Sequence, residues 1–120
     1  MANIIRLGGN ATTRTLLWTN PNPTQDLPWV AGQFNIDPYD YILFEYKPIK
    51  TDTYEKVTII KVIPNQTTFP IGVEDKTNRY HRMFSDNPEG WGVSPCYDSN
   101  GQYANSRIIV TKIHGIKGEI

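Results

Sequence analysis

Few side chains in this sequence carry intrinsic reactivity near neutral pH: one cysteine, Cys96, and two histidines, His81 and His114. A zinc site draws on three or four Cys, His or carboxylate ligands at recurring spacings. Neither histidine has a second one at ligand spacing, and Cys96 has no cysteine partner. No metal site is therefore expected. A Cys–His nucleophile needs a base beside an activated thiol. Cys96 lies between Pro95 and Tyr97 without a supporting motif, and reads as a partly buried structural thiol. Asp98-Ser99-Asn100-Gly101 has the opening of a calcium loop, but Glu119 is too distant to close one, so a hairpin turn is expected. Glycoside hydrolysis needs two acids facing each other across a cleft, whereas Asp and Glu here fall mainly in turn segments. Gly8-Gly9 and Gly90-Trp91-Gly92 open no helix and are not phosphate loops. The expectation is a protein that is not an enzyme and needs no cofactor.

What remains chemically is recognition. Trp91 sits between two glycines, and Tyr97 and Tyr103 flank the turn that starts at Asp98. Aromatic rings on polar loops stack on sugar faces or anchor a protein partner. Asp98, Asn100 and Gln102 add groups that hydrogen-bond hydroxyls. Trp91, Tyr97, Asp98, Asn100, Gln102 and Tyr103 are thus the candidate ligand-binding residues. Two other readings stay open. Trp91, like Trp29 after Pro28, is also the kind of residue that plugs the end of a small sandwich. The loops between Asn87 and Asn105 equally suit packing against a neighbouring protein.

The elements that must position these residues follow from composition and punctuation. A chain of 120 residues has room for one ordinary core. It holds 14 Ile, 6 Val and 12 Thr against 4 Ala, 5 Leu and 5 Glu, a balance that favours strands over helices. Twelve basic and twelve acidic residues cancel, which argues against nucleic-acid binding by phosphate neutralisation. One cysteine forms no intramolecular disulfide, and the first residues lack the pattern of a signal peptide, so cytoplasmic synthesis is expected. No apolar run approaches a membrane span.

Strands are expected at Ile4–Leu7, Thr12–Trp18, Tyr39–Lys47, Glu55–Ile63, Ile71–Glu74, Asn78–Ser85, Gly92–Tyr97 and Ser106–Ile116, with an edge strand near Gln33–Ile36. Pro48 is expected to close its strand, because proline has no N–H for a ladder. Pro95 is expected to interrupt another. Asn87-Pro88-Glu89-Gly90 has turn chemistry. About eight short strands without a helical period indicate an all-β chain, an antiparallel β-sandwich or jelly-roll-like domain.

Three stretches resemble small β-domains at the ends of fibre proteins (tail or head fibres) from tailed bacteriophages. They are Leu16-Leu17-Trp18-Thr19-Asn20-Pro21-Asn22-Pro23-Thr24, then Asp37-Pro38-Tyr39-Asp40-Tyr41-Ile42 leading into Glu45-Tyr46-Lys47, and the closing Ile109-Val110-Thr111-Lys112-Ile113-His114-Gly115-Ile116-Lys117. Such domains often end in a similar run with tyrosine where His114 stands. The resemblance spans roughly residues 14–117. It implies a virion structural protein displayed on a tail or capsid, usually a homotrimer, whose loops bind host surfaces; other virion proteins and a host surface glycan are the partners expected. It carries over no functional residues. Residues 1–13 are expected to serve as an attachment or intersubunit segment, with Gly8-Gly9 as a hinge, and 14–120 as the sandwich. A capsid decoration or head-fibre protein without glycan binding, and a free-standing carbohydrate-binding module, are the alternatives.

Overall fold

The computed structural model describes the backbone of residues 2–7, 10–27, 30–32, 34–74, 76–87 and 90–118, and the side chains of 12–27, 34–74, 76–85 and 91–118. The elements are β1 (Ala2–Leu7), β2 (Asn10–Thr19), β3 (Val30–Gly32), β4 (Tyr41–Ile49), β5 (Lys56–Lys61), β6 (Thr68–Glu74), β7 (Arg79–Asn87), β8 (Gly90–Val93), β9 (Tyr97–Asp98) and β10 (Arg107–Lys117). There is no helix among the described residues. The strands form two antiparallel sheets. The first runs β1-β2-β10-β4-β5; the second runs β3-β8-β7-β6, with β9 also paired to β7. The β-rich composition thus yields the expected small antiparallel β-sandwich.

Alternation decides which side chains enter the interior. On β4, Ile42, Phe44 and Tyr46 belong to the core, and β6 supplies Phe69 and Ile71 from the other sheet. Phe44 meets Phe84 of β7 with ring centroids 4.7 Å apart, joining the two layers. β10 lies between β2 and β4 and is buried along most of its length. A register shift opposite Leu17 lets both Leu17 and Trp18 pack against the core. Gly115 of β10 leaves room for the ring of Tyr39; a Cβ there would lie 2.5 Å from its ring carbons. On the other face of β4, Glu45 Oε2 and His114 Nε2 are 2.6 Å apart and largely buried.

Several boundaries differ from the sequence expectation. Pro48 does not end β4 but lies buried within it. Ile108 falls opposite it, between the pairs Arg107↔Ile49 and Ile109↔Lys47. With no N–H from Pro48, the Ile108 carbonyl lacks its ladder donor. Ile108 adopts a φ of 52°, rare for a β-branched residue, and its carbonyl accepts a hydrogen bond of 2.9 Å from Arg82 Nε instead.

Arg82, on β7, is 0% exposed. Its guanidinium reaches from the second sheet to main-chain carbonyls of Ser94 (2.8 Å), Asn105 (3.0 Å), Arg107 (3.1 Å) and Ile108. Burial lowers its pKa to about 10, with Cys96 and Asp26 opposing the shift, so it remains charged near neutrality.

The edge strand expected at Gln33–Ile36 lies earlier, at Val30–Gly32, where it pairs with β8. Residues 34–36 form no strand; Phe34 and Ile36 pack into the core instead. The expected strand broken at Pro95 is present as β8 and β9, both beside β7. The segment 1–13 supplies β1 and the start of β2, paired from Ala2↔Thr15 to Leu7↔Asn10, so a division at 13/14 falls inside β2. Gly8-Gly9, Trp29 and the central residues of the Asn87–Gly90 turn lie outside the described residues.

Candidate functional site

All the candidate residues but Trp91 come together at the second sheet, on β9 beside β7 and in the turn that follows. Tyr97 pairs with His81 of β7, and Asp98 with Tyr80. In β7 the residues alternate: Arg82 and Phe84 point inward and are buried, while Arg79, His81 and Met83 face out. The His81 ring stacks on Tyr97 at 5.7 Å, and Tyr97 meets Tyr103 at 5.4 Å. Tyr103 is 73% exposed. The three rings form a short ladder that ends in solvent.

The turn beneath this ladder is held by its own sequence. Gly101 N–H donates to the Asp98 carbonyl at 3.0 Å, and Gly101 takes a φ of 77°, which glycine adopts without strain. Asp98 Oδ1 accepts from the N–H groups of Asn100 (2.8 Å) and Gln102 (3.0 Å). The Asp98 carboxylate thereby fixes the turn. Asn78 Oδ1 accepts from the N–H groups of Arg79 and Ser99, tying the β6–β7 end to the same turn. The side chains of Asn100 and Gln102 are exposed beside Tyr103.

Next to the ladder, Gly72 of β6 faces His81 and presents no side chain. An open depression of about 520 Å³ lies there, lined by Gly72, Val73, Glu74, Arg79, Tyr80 and His81. Arg79 and Glu74 form an exposed ion pair of 3.3 Å at its rim. The surface thus offers flat ring faces next to a small-residue floor, with amide, carboxylate and guanidinium groups around them. That combination suits a polyhydroxylated ligand: ring faces take C–H groups, and the polar rim takes hydroxyls.

Trp91 does not join this surface. It lies in β8 rather than a loop and is 2% exposed. Its ring stacks against Phe34 at 5.3 Å and Phe69 at 5.6 Å. Its indole N–H is buried with no hydrogen-bond partner among the described residues. The glycines on either side of Trp91 suggest a loop, but two phenylalanines remote in sequence draw the ring into the core. His81, Arg79 and Gly72 were missed as site residues. The alternating polar face of β7 was the available signal; its pairing with β9 was not.

Cys96 is fully buried. Burial pushes its thiol pKa up, outweighing the lowering effect of the Arg82 charge, so the thiol stays protonated near neutrality. Among the described residues no group of three His, Cys, Asp or Glu side chains converges.

No family model, curated protein or solved structure matches this chain.

Proposed function

We propose that this chain is a fibre-type structural protein of a bacteriophage virion that meets host surface glycans through the outer face of its second sheet. The observation that carries the binding reading is the ladder His81–Tyr97–Tyr103, ending in a ring that is 73% exposed on a turn fixed by Asp98. A large aromatic residue held in place and open to water stacks on a sugar at little cost in conformational entropy. The virion setting is supported by the three stretches that resemble phage fibre domains. The third lies wholly on β10, while the first begins on the end of β2 and the second runs into β4, the two strands on either side of β10 in one sheet.

The test is binding of the chain to immobilised host surface polysaccharide, with Tyr103→Ala as the variant. Loss of binding with the fold retained is the expected result. Should Tyr103→Ala leave host-cell adsorption intact while blocking incorporation into particles, the face is an assembly contact and the glycan reading fails.

A further inference from the structure

β5 is the outer strand of the first sheet, and no described strand pairs with its far edge. Val62 N–H donates to the Asp40 carbonyl at 2.9 Å. In an antiparallel ladder directly hydrogen-bonded pairs alternate with non-bonded ones. The register Ile42↔Ile60, Phe44↔Thr58, Tyr46↔Lys56 therefore turns the main-chain groups of Lys56, Thr58 and Ile60 towards β4. Those of Val57, Ile59 and Lys61 face the open side. The strand contains no proline and no register shift. Natural sheets blunt such an edge by bulges, prolines, covering segments or charged side chains, lysine above all; β5 carries lysine only at its two ends, Lys56 and Lys61. Here the side chains alongside are apolar and exposed: Val57 is 58% and Ile59 39% accessible.

We infer that β5 pairs antiparallel with β5 of a second copy of this chain, about a two-fold axis at Thr58. The register follows from charge. Because only alternate residues offer open main-chain groups, allowed registers differ by steps of two residues. With Thr58 opposite Thr58 of the second copy, Val57 faces Ile59, and Glu55, just before β5, faces Lys61. Each contact occurs twice. In the next register, Ile59 faces itself, Lys61 faces Val57, and Glu55 faces Ile63. Of these two, only the first sets Glu55 against Lys61 and Val57 against Ile59; at the alternate positions Thr58 faces Thr58 and Lys56 faces Ile60. The contact is isologous and closes at two copies, unlike the three-fold association that the fibre resemblance implies. It joins two five-stranded sheets into one continuous sheet and leaves the Tyr103 surface, on the other layer, open in both copies.

The experiment is light scattering and sedimentation of the 120-residue chain across micromolar concentrations, with four variants. The native chain is expected at twice 13.7 kDa. Ile59→Pro removes an open-side N–H without touching the β4 ladder and is expected to weaken association at least about tenfold. Glu55→Lys and Lys61→Glu each place like charges opposite one another and weaken it. The double exchange Glu55→Lys with Lys61→Glu restores it. Circular dichroism and melting curves identify any variant that fails to fold; if Ile59→Pro is one, the charge exchanges decide. A native chain that is monomeric or trimeric overturns the inference, as does a double exchange no tighter than its two single variants.

Discussion

Arg82 Nε donates to the carbonyl of Ile108 across the interior of the sandwich, at the one ladder position where the facing strand has a proline. A missing main-chain donor in one sheet is replaced by a side chain of the other. The same guanidinium also holds carbonyls of Ser94, Asn105 and Arg107, so a loop, β10 and β7 are tied at one point.

Arg82→Met is accordingly expected to lower stability by about 3–5 kcal/mol, since several buried carbonyls lose their donor together. Arg82→Lys keeps the charge but not the planar fork, and is expected to recover only part of the loss. Pro48→Ala restores an N–H opposite Ile108. In a double-mutant cycle followed by chemical denaturation, Pro48→Ala should reduce the cost of Arg82→Met. Strict additivity would show that Arg82 does not replace the proline's missing donor.

Tyr103 and Trp91 are expected to part company. Tyr103→Ala should leave the melting midpoint almost unchanged, within about 0.5 kcal/mol, and abolish binding. Trp91→Ala should cost about 3–5 kcal/mol by opening a cavity between Phe34 and Phe69. Denaturation and binding measured on both variants separate surface from core.

Gly115→Ala should cost about 1–3 kcal/mol, because the added methyl group meets the Tyr39 ring. Tyr39→Ala removes the obstruction. The double variant should then lose less than the sum of the singles, read from melting curves.

Cys96 should resist alkylation in the folded chain. At mildly alkaline pH its reaction with iodoacetamide should run at least about a hundredfold slower than in denaturant, and track opening of the fold. Rapid reaction of the native protein would place the thiol at the surface.

What was legible in the sequence was local. Alternation along 41–46 and 79–85, and the turn chemistry of Asp98-Ser99-Asn100-Gly101, needed no distant partner, and the strands and turn lie where those signals put them. Tyr97, Asn100, Gln102 and Tyr103 stay together because one turn holds them. The misreadings were non-local. Pro48 looked like a strand end because its missing donor is replaced by Arg82, thirty-four positions later (48 to 82). Trp91 looked like a loop residue because Phe34 and Phe69 are remote in sequence. His81 and Gly72 entered the site only through the pairing of β7 with β9 and β6, which alternation alone does not specify.

The place of β10 has a consequence for biosynthesis. It is translated after the other nine strands, yet sits between β2 and β4 in the middle of the first sheet. While residues 107–117 are still inside the ribosome, β2 and β4 have no strand between them, and the donors of β4 that will bond β10 face water. The β6–β7–β8 meander forms from sequence neighbours, but the first sheet cannot close until translation of this segment is complete. Closure requires contacts spanning most of the chain, so it waits until elongation, at about 5–20 residues per second, has delivered the whole segment. The nascent chain therefore carries open β edges for part of its synthesis, and its yield depends on what shields them in that interval.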